Sequence, residues 1–325
     1  MKKVISIIIC AVMVLGVFTA CSGNKNANTD SGKLKIITTI FPEYDWVRNI
    51  AGDKADITML LDNGVDLHSY QPTADDIIKI STCDVFVYVG GESDSWVKDT
   101  LKETVNKDMV VLNLLDLLGE NAKEEEEKEG MQEEEHEHEE ESEEEGPEYD
   151  EHVWLSLRNA AVLCQKISDA LCKKDAANSE FYKSNTTAYI EKLNSLDSQY
   201  KDAVNAAKQK TVLFGDRFPF RYLTDDYGLD YYAAFVGCSA ETEASFETIM
   251  FLAHKVDELG LTSIMQIETS DGSIAETIRK NTKTNDQNIL TVDSLQSVTA
   301  KDVESGTTYL SVMEKNLEVL KDALK

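Results

Sequence analysis

Between residues 179 and 210 the chain runs without a glycine or proline, and Tyr189, Leu193, Leu196, Tyr200, Ala203 and Ala207 recur there at helical spacing. A continuous helix over this stretch would be about 45 Å long, enough to run down the side of two lobes and too stiff to serve as a hinge. The flanking sequence has a different rhythm. Short β-rich runs at 34–40, 57–61, 85–89 and 109–112 alternate with helical patterns near 45–51, 74–80 and 95–102, and β-rich runs return at 211–215, 231–235, 263–267 and 289–292. Strands alternating with helices argue for parallel sheets. The expected fold class is therefore α/β, with two Rossmann-like lobes joined by a long rigid helix. Ligands of such sheets are received at the carboxyl ends of the strands.

The start of the chain reads as a secretory signal. Lys2 and Lys3 precede an apolar stretch, 4–18, that is too short for a comfortable membrane span. Thr19-Ala20-Cys21 then looks like a bacterial lipoprotein processing site, with Cys21 as the lipidated residue. The expected divisions are a signal peptide at 1–20, a lipidated tether at 21–32, an N-terminal lobe at 33–177, a connecting helix at 178–210 and a C-terminal lobe at 211–325. Cys10 lies in the signal, which leaves Cys83, Cys164, Cys172 and Cys238. Cys164 and Cys172 would sit about 12 Å apart along one helix, too far for a disulfide. No cysteine has a zinc-type spacing, so these four are expected to be free thiols and not ligands.

Inside the N-terminal lobe, residues 120–151 hold 19 acidic residues and 2 lysines, roughly 17 of the 28 excess negative charges of the chain. A segment so charged is expected to stay out of the core as a disordered loop over 120–149. It carries His136 and His138, and imidazoles among carboxylates make a loose sponge for divalent cations. The net charge of -28 excludes nucleic acid as a partner. The chain also lacks GxSxG, HExxH, P-loop and dinucleotide-binding glycine patterns.

Candidate ligands stand where the sheets would end. His68 follows a β-run and opens a helix, Asp293 and Glu268 end β-runs, and His152 starts a helix after the acidic segment. Imidazole with carboxylate suits zinc, and a larger share of carboxylate suits manganese. Two stretches sharpen this. Asp66-Leu67-His68-Ser69-Tyr70-Gln71-Pro72-Thr73-Ala74-Asp75-Asp76 and Asp150-Glu151-His152-Val153-Trp154-Leu155 resemble the first and second ligand motifs of the zinc/manganese-type solute-binding proteins of ABC importers (the ZnuA/TroA-like family), with Glu151 in place of a proline. The likeness runs over the whole mature chain and includes Thr291-Val292-Asp293-Ser294-Leu295 near its end.

The resemblance implies a lipid-anchored extracytoplasmic protein that binds Zn2+, or alternatively Mn2+, in the inter-lobe cleft. It would act as a monomer, reach the membrane only through its lipid, and deliver metal to an ABC permease and its ATPase. His68, His152 and Asp293 would be ligands. The family's third ligand, His or Glu from the second lobe, falls here on Gly215, which has no side chain to offer. Glu268 is the expected substitute, followed by Asp216, which has Arg217 beside it, and by Glu243, whose place near a helix start gives it another use. His254, next to a lysine in a helical pattern, reads as a surface residue. Two other classes share the ligand chemistry: a zinc-dependent hydrolase with an open coordination position, and a surface adhesin or metal buffer.

Overall fold

A computed structural model of the chain describes residues 32–132, 148–239 and 243–325. In its first half β1 (Leu34–Thr38), β2 (Ala55–Met59), β3 (Val85–Tyr88) and β4 (Val110–Asn113) form a parallel sheet in the order β2-β1-β3-β4. In the second half β5 (Thr211–Phe218), β6 (Asp230–Val236), β7 (Ser263–Ile267) and β8 (Asn288–Val292) repeat the pattern as β6-β5-β7-β8. Each sheet switches winding direction beside its first strand, and the loops leaving the strand ends open a crevice there. The apolar runs read from the sequence are the middles of these strands: Ile36, Ile37, Val85, Phe86 and Val87 are buried, as a sheet covered on both faces requires.

The long helix spans Ser179–Ala206, 28 residues, or about 42 Å. Its buried face carries Tyr182, Tyr189, Leu193, Leu196, Tyr200 and Val204. It packs against the helix Leu157–Lys174, the first helix Phe41–Ala51 and the last helix Tyr309–Ala323. That last helix belongs to the second lobe in sequence yet also touches Phe41–Ala51, so the lobes share one continuous core that includes Ile36, Trp46, Phe214, Met265 and Val292. A smaller cluster, with Leu213, Phe235, Leu252 and Ile278, lies under the helices Phe246–Leu259 and Ser273–Asn281. Trp154 pins the two halves together. Its Nε1–H donates to the Ser294 carbonyl at 2.8 Å, and its own carbonyl accepts from the Tyr309 hydroxyl at 2.6 Å.

Two local expectations shift. The first helix begins at Phe41, not near residue 45, because the buried Glu43 carboxylate reaches back to cap it, accepting from Thr39 N at 2.9 Å and Ile40 N at 3.3 Å. The acidic segment is a loop with fixed partners over its described first part, not a free one throughout 120–149. Glu124 and Tyr149 form an antiparallel bridge, Lys128 pairs with Asp230, Arg221 pairs with Glu126, and Gln132 N donates to the Ala234 carbonyl. The part before residue 133 therefore lies as a strap on the second lobe, because that face supplies Arg221 and backbone partners for an acidic segment. His136 and His138 lie outside the described residues, as does Cys21.

Candidate metal centre

His68 sits in a single 3-10 turn, Leu67–Ser69, in the loop that leaves β2. Asp66 sets this turn by accepting from His68 N at 3.0 Å, and its other oxygen accepts from Arg217 of β5 at 2.8 Å, so the turn is held to the second lobe as well. Burial alone would raise the Asp66 carboxyl, and the Arg217 guanidinium holds it below its ordinary value. His152 enters from the other side. The Asp150 carboxylate accepts from both its backbone N–H, at 2.9 Å, and its ring Nδ1, at 3.0 Å. The ring is fully buried and lies tilted against Trp154, with centroids 5.2 Å apart.

The two rings meet through their Nε2 atoms, 3.3 Å apart, while His68 Nδ1 is engaged by the Ser93 hydroxyl at 2.7 Å. Both Nδ1 atoms are thus occupied and both Nε2 atoms face one point, which is how metal-binding imidazoles are fixed in tautomer and direction. Burial, then the neighbouring His152, pushes the His68 imidazole down to about 3, so at neutral pH it is an uncharged ring. Cys238, two residues past the end of β6, completes the group: one ligand atom each of His68, His152 and Cys238 lie within 4.8 Å of one another, and no other such group occurs among the described residues. Burial, then Glu125, Glu151 and Asp150, pushes the Cys238 thiol up, which favours its protonated form.

None of the other expected acids joins this group, although Asp216 lines a cavity with His68. The Glu268 carboxylate accepts from Ser294 N, Ser294 Oγ and Ser297 Oγ at 2.7, 2.9 and 3.0 Å, which ties the ends of β7 and β8 together. Asp293 accepts from Leu295 N, and burial with Glu268 nearby pushes its carboxyl up to about 6. Asp216 accepts from Arg217 N and Ile267 N within the second sheet, and Glu243 is exposed. His254 is exposed at the surface, as read from the sequence. The gap at Gly215 has a packing reason: a Cβ there would come 2.6 Å from the Cα of Ala275, so the helix Ser273–Asn281 occupies that side of β5. Sequence reasoning missed Cys238, for which spacing offers no sign, and Glu151, whose exchange for proline in the second motif was the available signal.

Glu151 belongs to a line of buried acids behind the site. It accepts from Ser93 N at 2.9 Å and approaches His68 Nδ1 at 3.7 Å. Asp94 accepts from Gly90 N with one oxygen, while its other oxygen has no hydrogen-bond partner. Burial, and after it Glu151, pushes Asp94 up to about 7. A carboxyl raised in the folded state stabilises the fold below its unfolded value and loses that contribution as pH rises through its folded value. Asp94→Asn is therefore expected to flatten the fall in stability between about pH 4 and about pH 7, and to leave the variant the more stable of the two at about pH 8. Urea midpoints across this range check it, and an unchanged pH slope would count against the assignment.

The family described as "Zinc-uptake complex component A periplasmic" (ZnuA) matches residues 36–323. The zinc-binding lipoprotein AdcA of Streptococcus pneumoniae is 34% identical over 322 residues, which cover 99% of this chain and 61% of AdcA, so the chain spans less than two thirds of that relative. The high-affinity zinc uptake system protein ZnuA of Bacillus subtilis is 30% identical over 312 residues, covering 94% of this chain and 93% of that protein. Among solved structures, the Zn(II)-bound ZnuA-like domain of Streptococcus pneumoniae AdcA superposes with a TM-score of 0.70 at 31% identity, over 90% of this chain and 99% of that domain.

Proposed function

Because the chain belongs to the ZnuA family, we propose that it captures zinc between His68 and His152 and delivers it to an ABC permease driven by its ATPase. The family is one of solute-binding proteins rather than enzymes. The observation that carries this reading is the Nε2 to Nε2 separation of 3.3 Å with both Nδ1 atoms engaged. Two nitrogens on one tetrahedral zinc, each at about 2.0–2.1 Å, lie about 3.3 Å apart, and the observed separation supports the reading. Zinc is the cargo and is released again, so a site with few protein ligands suits the task. The relatives named lipoproteins favour anchoring through Cys21 at the extracytoplasmic face of a membrane. His136 and His138, in an acidic run, would raise the local zinc concentration around the chain.

Calorimetry on the full chain and on a chain lacking residues 133–147 tests this. The strap before residue 133 stays in place in that deletion. One tight zinc equivalent is expected in both proteins, weaker equivalents only in the full chain, and manganese bound less tightly than zinc in each. Loss of the tight equivalent on deletion, or a preference for manganese, would refute the reading.

A further inference from the structure

We propose that Cys238 is the third protein ligand and binds the cargo as a thiolate, so that the site offers two imidazole nitrogens and one sulfur. This rests on the reading that metal binds between His68 and His152.

The placement of Cys238 is built into the end of β6. The strand stops at Val236, and Gly237 then passes against the edge of the His152 ring. A Cβ on Gly237 would lie 2.9 Å from His152 Cε1 and 3.0 Å from Nδ1, so only glycine lets the chain run that close. The next residue is thereby delivered to the imidazoles, and its backbone N–H donates to Glu125 of the strap at 3.4 Å. None of the other thiols among the described residues is in a comparable place. Cys83 meets Met109, Cys164 is buried in the core, and Cys172 meets the Ser179 carbonyl.

Geometry and chemistry agree. On a tetrahedral zinc with bonds of about 2.05 Å to nitrogen and about 2.3 Å to sulfur, nitrogen and sulfur lie about 3.6 Å apart. The three ligand atoms here fall within 4.8 Å of one another before any metal draws them in. Binding is balanced simply: the Sγ–H bond breaks, its electron pair forms the metal–sulfur bond, and the proton leaves to solvent. The exit is open, because Cys238 and His68 line a cavity of about 230 Å³ together with Glu92, Glu125, Glu148 and Glu151. Those carboxylates also draw a cation toward the sulfur. A soft thiolate favours zinc and cadmium over manganese, which prefers oxygen donors, so Cys238 would set the metal preference of the site.

The test uses the full chain loaded with one equivalent of cobalt(II). A thiolate-to-metal charge-transfer band is expected in the near ultraviolet, retained in Cys172→Ser and absent in Cys238→Ser. Zinc affinity is expected to fall at least tenfold in Cys238→Ser, and the zinc-to-manganese ratio of affinities to fall with it. Cys238→His should recover zinc affinity without the band, which separates loss of a ligand from loss of the fold. A band that persists in Cys238→Ser, or metal bound by the parent with no band, would overturn the sulfur ligand and leave metal capture standing. A parent chain that binds no metal, or a His68→Ala chain that binds it normally, would overturn both.

Discussion

Replacing His152 by alanine is expected to weaken zinc binding at least a hundredfold, or about 2.8 kcal/mol at about 1.4 kcal/mol per tenfold. His68→Ala should be comparable. The reason is the degree of preparation around the ring. Asp150 accepts from His152 Nδ1 at 3.0 Å, Gly237 lies against its edge, Trp154 lies 5.2 Å away, and the Nε2 atom lies 3.3 Å from that of His68. Alanine removes a nitrogen donor and leaves the prepared shell facing a void, which no flexible surface residue can refill. Competition with a zinc chelator measures the loss for each variant, and affinity unchanged in both would mean that the metal is held elsewhere. Unfolding of the metal-free variants, run alongside, keeps lost ligation apart from lost packing.

Trp154→Ala should cost about 3–5 kcal/mol of stability in the metal-free chain, the range for deleting a fully buried large aromatic. Trp154 is entirely buried, and both of its polar groups reach the second half of the chain: Nε1 to the Ser294 carbonyl and its carbonyl to the Tyr309 hydroxyl. The alanine variant leaves a cavity and an unpaired Ser294 carbonyl. Trp154→Phe keeps most of the volume and gives up only that hydrogen bond, for an expected loss of about 1–3 kcal/mol. Because His152 stands two residues away, the alanine variant should also bind zinc less tightly than its stability alone explains. Guanidinium unfolding followed by far-ultraviolet circular dichroism gives the stabilities, and midpoints within error of the parent for both variants would remove Trp154 as the pin between the lobes.

The legible parts of the chain are those governed by short-range chemistry. Thr73 and Asp76 cap their helix reciprocally, with Asp76 N to Thr73 Oγ1 at 3.2 Å and Thr73 N to Asp76 Oδ2 at 3.0 Å, and both partners lie within one turn of each other in sequence. The alternation of apolar runs with helical patterns led to parallel sheets because period and length are read directly along the chain. The Glu43 cap of the first helix was harder to read, since a buried acid among apolar neighbours gives no periodic signal. The acidic run misled for a related reason: composition describes its average tendency to stay in water, whereas the strap before residue 133 depends on Arg221, Asp230 and Ala234, about a hundred residues away.

The site divides along the same line. Sequence alone determined that His68 and His152 were the residues to watch, because each sits in a motif of neighbours that shapes its own turn: Asp66 for His68 and Asp150 for His152. Only the tertiary structure decided what joins them. Glu268 and Asp293 also end strands, yet the Ser294 turn draws the Glu268 carboxylate to itself, and Cys238 arrives instead because Gly237 lets the end of β6 graze the His152 ring. The meeting of His68, His152 and Cys238 is a property of how two sheets face each other. No spacing along a single strand encodes it, because the convergence depends on the crossing of elements separated by 84 and more positions in the chain.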